Sequence, residues 1–317
     1  MITVNAAETR AALDLSSTVE ALRVMFLNGC EAPLRHHHAI GGKGGTEGTM
    51  LLMPAWVPDR YLGVKLVNVF PGNGALNLPA VQGVYILFSG KTGEVLAMVD
   101  GNELTARRTV AASALASSYL SRPDAHTLLV VGTGRLARLM AEAHAVVRPI
   151  ERVMVWGRES AKAAAVVAEF GDCGFDVSVP NDLRSAVENA DIVSCVTLSR
   201  EPLIQGAWLR PGTHLDLVGG FTPQMREADD EAVKRASIFI DTPGATSEAG
   251  DLVIPIASGV LREADIRADF AALVRGAHPG RTSTDEITFF KSVGASQEDL
   301  AAAILVYEHS QASVAGA

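Results

Sequence analysis

The segment Leu128–His144 reads LLVVGTGRLARLMAEAH: a short β-branched apolar run, a tight turn, then an Ala-rich stretch of helical periodicity. No other feature narrows the fold as far. Gly132, Gly134 and Ala137 stand in a G-x-G-x-x-A pattern. The first glycine permits the turn, the second lets backbone amides approach a pyrophosphate, and the small third residue lets helix pack close on strand. A phosphate belongs at the helix N-terminus, where amides without partners and the helix dipole favour negative charge. Thr133, Arg135 and Leu136 would supply the neighbouring cofactor contacts. The pattern alone is weak evidence; its setting makes it specific. Further apolar runs, RVMVW (152–156), FDVSV (175–179), DIVSCVT (191–197), HLDLVG (214–219) and SIFID (237–241), alternate with helical stretches. Such alternation predicts an α/β domain of Rossmann type, a doubly wound parallel sheet with right-handed crossovers. A nicotinamide dinucleotide and an oxidoreductase are the expectation.

The second strand ends VWGRES. An acidic residue there would bond the ribose 2′-hydroxyl, but this chain has Gly157 and Arg158. A carboxylate repels a 2′-phosphate, whereas a guanidinium holds it. NADPH is therefore expected ahead of NADH.

The first 120 or so residues have another texture. A helix is expected over Ser16–Asn28, then strand-like runs TMLLMPAW, YLGVKLVNVF and VYILFSGKTGEVLAMVD, the last with SGKTG as a hairpin turn. NELTARRTVAASALASSYL reads as a long helix leading to the Rossmann strand. At the far end, SQEDLAAAILVYEHSQASV reads as a helix capped by Ser296, with acidic residues in its first turn.

Several polar residues stand among these apolar neighbours. Lys65 shares a strand face with Gly63 and Val67, where an unpaired ammonium is costly to bury. A substrate carboxylate would account for it and for the arginines Arg35, Arg107 and Arg108. Arg107 and Arg108 point about 100° apart on a helix, so at most one faces inward. His36, His37 and His38 cannot all chelate one metal from a regular strand, because adjacent side chains take opposite faces. No metal site is expected.

Bulk composition removes other classes. With 317 residues, 48 % hydrophobic and 20 % charged, the chain suggests about two domains with a large core. No apolar run approaches the ~18–20 residues of a membrane span. A net charge of −9 without a basic stripe argues against nucleic acid. Cys30, Cys173 and Cys195 are too few and scattered for a disulfide framework, and no secretory pattern opens the chain. A cytoplasmic setting follows as an expectation.

Taken in order, PLRHHH, LLMPAW, YLGVKLVNVFPGN, NELTARRTVAASALASSYL, VVGTGRLARL, GGFTPQMREAD and FFKSVGASQEDLAAAILVYE resemble the ornithine cyclodeaminase/mu-crystallin family over essentially the whole chain. Within it the chain looks most like the Δ1-pyrroline-2-carboxylate/Δ1-piperideine-2-carboxylate reductases, which reduce a cyclic ketimine. The resemblance implies a homodimer with a discontinuous α+β substrate and dimerisation domain, residues 1–120 plus 295–317, beside a dinucleotide domain, 121–294. It implies an active site in the interdomain cleft. Arg35 and Arg108 would clamp the substrate carboxylate and Lys65 would lie beside the reacting C=N bond. Met53, Phe221 and Gly294 would contact substrate; Thr109, Thr197 and Val293 would contact cofactor. Phe221 departs from the cyclodeaminases, which carry an aspartate in that place; a phenyl ring neither accepts a proton nor pairs with a δ-amino group. Ornithine cyclisation is thereby disfavoured. An alanine dehydrogenase-like enzyme and a mu-crystallin-like binding protein remain as alternatives.

Overall fold

The computed structural model describes residues 1–42, 47–76 and 78–315. The chain divides into two units, Met1–Arg108 with Ala295–Ala317, and Thr109–Gly294. In chain order the first unit holds β1 (Ile2–Val4), α1 (Ala6–Ala12), α2 (Leu15–Asn28), β2 (His36–Gly41), β3 (Glu47–Val57), β4 (Tyr61–Val69), β5 (Val81–Ser89) and β6 (Val95–Asp100). Helix α3 (Gly101–Leu120) begins in it and ends in the second unit. The division therefore falls inside α3, between 108 and 109, and not near 120 as the sequence suggests. The bonds made along α3 give the reason. Arg107 donates to Leu13 O and Glu103 takes Arg10 on the first-unit side. Beyond the division, the carbonyls of Ser117, Ser118 and Leu120 accept from Arg148 and Arg281 of the second unit.

The second unit runs β7 (Thr127–Val131), α4 (Leu136–Val147), β8 (Arg152–Trp156), α5 (Ser160–Ala168), β9 (Asp176–Ser178), α6 (Leu183–Asn189), β10 (Ile192–Cys195), β11 (His214–Leu217), α7 (Asp230–Arg235), β12 (Ser237–Ile240), α8 (Ala245–Glu248), α9 (Gly250–Ala257), β13 (Ile266–Ala268), α10 (Phe270–Val274) and β14 (Thr288–Lys291). Helix α11 (Ser296–Ala315) returns the chain to the first unit.

Among the described residues, the first unit's strands form one six-stranded sheet in the order β1-β6-β5-β4-β3-β2. Only the β1–β6 pairing is parallel. Period-two alternation directs Gly63, Lys65 and Val67 of β4 to the buried face. Register then sets Met53, Lys65, Tyr85 and Val99 in one cross-strand row. Helix α11 lies against this sheet and against α1 and α2. The row thus carries a lysine where the pattern calls for an apolar side chain. β2, with His36–His38, is exposed along its length.

The second unit's sheet, eight strands among the described residues, is parallel throughout, in the order β13-β12-β14-β11-β10-β7-β8-β9. From β7 the chain winds outward through β8 and β9, then crosses back to β10 and β11. The β7/β10 boundary is therefore a topological switch point, where parallel sheets open a crevice at their carboxyl ends. β7, β10, β11 and β14 are buried at every residue, as strands covered on both faces must be.

Candidate active site

In the second unit, a crevice of about 270 Å³ opens at the switch point. It is lined by Gly132, Thr133 and Gly134 after β7, by Trp156, Gly157 and Arg158 after β8, and by Val196–Ser199 after β10. Gly132 turns the chain at φ +136°, and a Cβ there would press to 2.9 Å from Val196 Cγ2. Side chains rarely take that conformation, which is why glycine stands there. Gly134 has no neighbour within 4 Å of a Cβ position, so its backbone faces open space. Arg135, at the N-cap of α4, makes no side-chain cap to the helix. First-turn amides beside an open glycine turn suit a diphosphate, which would take the place of the missing cap. Arg158 is exposed at the rim of the crevice.

In the first unit, Lys65, Arg108, Glu298 and Asp299, all ionisable, gather inside the protein. Lys65 Nζ donates to Asp299 Oδ1 at 2.8 Å. Arg108 Nε donates to the same oxygen at 2.9 Å, and Arg108 Nη1 donates to Glu298 Oε2 at 2.7 Å. Lys65 is 2 % exposed and Arg108 5 %, while Glu298 and Asp299 are fully enclosed. Burial pulls the lysine down to about 8; Asp299 opposes that pull, and Arg108 and Arg35 add to it. Arg108 shifts the other way: despite its burial, Asp299 and Glu298 hold its guanidinium above the ordinary arginine range. A lysine near 8 gives or takes a proton close to neutral pH, and an ordinary lysine does not.

The sequence expectation for Lys65 needs correction here. Its charge is met by the protein's own Asp299, so substrate is not needed to explain its burial. Nor does Arg108 offer a whole fork: its Nε and Nη1 are committed to Asp299 and Glu298. Arg35 is half-buried before β2 and acts on Lys65 through its charge. Met53, 2 % exposed, is the cross-strand neighbour of Lys65. Arg107 goes to Glu103, which also receives Arg10. That makes Glu103 a structural partner, as Asp216 is to Ser194 inside the parallel sheet.

The remaining candidates separate. Gly132, Thr133, Gly134, Arg158 and Thr197 line the crevice, but Arg135, Leu136, Thr109 and Val293 are not among its lining residues. The amides of Val293 and Gly294 donate to Asp241 Oδ2, each at 2.7 Å. Phe221 follows Gly220 in the second unit, half-buried. Sequence reasoning missed Glu298 and Asp299, reading them only as acids that complement the dipole of α11. A signal was present. Asp299 shares the i, i+4, i+7 stripe with Ala303 and Val306, both buried, so it belongs to the helix's inner face.

Comparison with known proteins matches residues 6–313 to the model of the ornithine cyclodeaminase/mu-crystallin family. A Δ1-pyrroline-2-carboxylate reductase of Paracoccus denitrificans is 42 % identical over 81 % of this chain and 82 % of its own length. Among solved structures, the Δ1-pyrroline-2-carboxylate reductase of Thermococcus litoralis, in complex with NADH and L-proline, superposes with a TM-score of 0.92. It is 34 % identical, with 97 % of each chain covered. An archaeal alanine dehydrogenase dimer with bound NAD gives 0.91 at 28 % identity, covering 98 % of this chain and 96 % of that one.

Proposed function

The chain belongs to the ornithine cyclodeaminase/mu-crystallin family, and we propose that it is a nicotinamide-dependent reductase of cyclic ketimine carboxylates, taking Δ1-pyrroline-2-carboxylate or Δ1-piperideine-2-carboxylate to L-proline or L-pipecolate. The observation that carries this reading is Lys65, a buried lysine drawn down to about 8 and held on Asp299 beside Arg108. Reducing a C=N bond needs a hydride at carbon and a proton at nitrogen. When bound, the nicotinamide supplies the hydride. The chain supplies the rest.

Lys65 is the proton donor. An ammonium with three N–H groups keeps donors for the ring nitrogen while one bonds Asp299. Passing the proton makes the nitrogen positive, and an iminium is a far better hydride acceptor than an imine. Arg108 and Arg35 hold the substrate carboxylate, which fixes the ring face presented to the hydride and so the L configuration. Asp299 keeps Lys65 and Arg108 in place and keeps the lysine charged near pH 7. Met53, the cross-strand neighbour of Lys65, gives the ring apolar contact. Phe221 supports a pre-cyclised substrate over ornithine, whose second amino group would find no acid there.

NADPH is the preferred cofactor, on the strength of Arg158 at the crevice rim and the lack of an acidic residue after β8. The working form is a homodimer. In support, an apolar groove of about 410 Å³ runs between α2 and α11, with Val24 44 % exposed beside it. A monomer mass by light scattering would remove that part of the reading. No helix among the described residues is long and apolar enough to cross a membrane.

The test is loss of reduced-nicotinamide absorbance with four substrates: the two cyclic ketimines, pyruvate plus ammonia, and L-ornithine with the oxidised cofactor and ammonia release followed. Turnover with a ketimine at least about 10²-fold more efficient than with pyruvate plus ammonia is expected. Activity on pyruvate alone makes the protein an alanine dehydrogenase; tight dinucleotide binding with no turnover makes it a binding protein.

A further inference from the structure

A second buried ionic cluster lies behind the crevice and belongs to none of the groups above. Glu227 Oε1 accepts the amide and the hydroxyl of Thr197, each at 2.7 Å. Its Oε2 accepts the amides of Gly219 at 2.9 Å and Gly220 at 3.3 Å. One carboxylate therefore joins the turn after β10 to the turn after β11. Asp251, in the first turn of α9, accepts the amides of Glu227 and Ala228 and so holds Glu227 in its turn. Lys291, at the end of β14, stands 3.1 Å from Asp251 and 4.0 Å from Glu227. Glu227 and Lys291 are fully enclosed, and Asp251 nearly so. The two turns also touch directly: a Cβ on Gly219 would lie 1.9 Å from Thr197 O.

We infer that Glu227 is the positioning residue for cofactor capture: it fixes the Val196–Ser199 wall of the crevice by fastening it to the Gly219–Gly220 turn. The chemistry explains why the residue is a carboxylate. The four donors converge on two oxygens, so an acid satisfies all of them, whereas an amide would turn an NH₂ group toward two N–H donors. The inference rests on the crevice being the dinucleotide site. It is independent of which imine is reduced.

The wall also has a built-in titration. Burial pushes Glu227 up to about 7, with Asp251 adding to the rise and Lys291 and the Thr197 bonds opposing it. The charged and titratable groups facing it are Lys291 from β14, Asp251 from α9 and the buried thiol of Cys195 from β10. A protonated carboxyl gives up acceptor capacity toward the paired amides, so the wall loosens as pH falls through about 7. NADH is the probe, because it has no 2′-phosphate to titrate in that range.

The experiment measures NADH dissociation constants by nucleotide fluorescence in the wild type, Glu227→Gln, Gly219→Ala and Asp191→Asn. Asp191 is the control: it receives the amides of His126 and Thr127 at the opposite, amino-terminal edge of the same sheet. Glu227→Gln and Gly219→Ala weaken NADH by about tenfold or more, whereas Asp191→Asn stays within about twofold, even where all three melt earlier. In the wild type the dissociation constant rises as pH drops from 8 to 6, and in Glu227→Gln it is flat. Wild-type affinity in Glu227→Gln, an equal loss in Asp191→Asn, or a flat wild-type pH profile each overturns the inference. The pH profile needs no variant, so it decides the matter even if Glu227→Gln fails to fold. A wild type that bound neither NADH nor NADPH would instead overturn the reading of the crevice, and this inference with it.

Discussion

Each unit buries a lysine among carboxylates, and the two lysines are wired differently. Around Lys65 the bonds run from side chain to side chain: lysine and arginine share Asp299, and Arg108 also takes Glu298. Around Lys291 the carboxylates are occupied mainly by backbone amides, those of Thr197, Gly219, Gly220, Glu227 and Ala228. The first arrangement runs charge to charge and shifts the lysine's pKa, which suits it to the proton transfer proposed above. The second spends its carboxylates on turns, so it holds shape. A buried ion pair is weak evidence of net stability, since desolvation offsets much of the attraction. What distinguishes two such clusters is therefore what their hydrogen bonds join.

Removing each lysine in turn breaks the comparison most directly. Lys65→Met is expected to lower kcat about 10²-fold or more, the usual contribution of a positioned general acid. Its melting temperature should fall less than that of Lys291→Met, because Arg108 remains bonded to both Asp299 and Glu298. Lys291→Met should do the reverse. It strands Glu227 and Asp251 without a counter-charge, which costs roughly 3–5 kcal/mol and on the order of 10 °C in melting temperature. Turnover at saturating cofactor should survive. Thermal melts and single-turnover rates on both variants check this; equal kinetic loss from the two would erase the distinction between them.

A smaller effect sharpens the chemical half. Because Lys65 titrates at about 8, the protonated donor is lost as pH rises through that value, and kcat should fall on the alkaline side. Asp299 raises the lysine's pKa, so Asp299→Asn should move that fall to lower pH. An alkaline limb unmoved by Asp299→Asn would mean that another group carries the proton.

These contrasts also explain what could be read from the chain. β7, the glycine turn and α4 are contiguous, and their spacing is local physics, so both fold class and crevice were legible. Lys65 stood out because charge interrupts apolar periodicity, whereas only the family resemblance separated Arg108 from Arg107. The acid they share did not stand out: Asp299 lies 234 positions from Lys65 and 191 from Arg108. Nothing local says which helix covers a sheet. The first turn of α11 looked like an ordinary acidic start, because dipole complementation and burial ask for the same residue types there. β14 gave a similar difficulty. TFFK is buried at all four positions and lies between β11 and β12, although it follows both in sequence. Lys291 ends that strand as a buried cation, and only the fold shows Asp251 beside it.

The smallest expected effect belongs to Arg158, and it asks whether the second unit's residues act on cofactor alone. Its guanidinium is exposed at the crevice rim, so any bond to a 2′-phosphate competes with water and salt. A charge-assisted bond of that kind contributes about 1–2 kcal/mol, so Arg158→Ala should lower kcat/KM for NADPH roughly five- to thirtyfold. NADH, which lacks the phosphate, should lose less than about twofold by the same reasoning. The KM for the imine and the alkaline limb near pH 8 should stay where they are, since the charges that set the Lys65 pKa are those of Asp299, Arg108 and Arg35. Raising ionic strength should shrink the NADPH advantage of the wild type and leave the variant unaffected. Equal use of both cofactors by the wild type, unchanged in Arg158→Ala, would make this arginine an ordinary solvated side chain. A shift of the alkaline limb in Arg158→Ala would be the more instructive failure, because it would tie a cofactor residue to the proton that Lys65 is assigned.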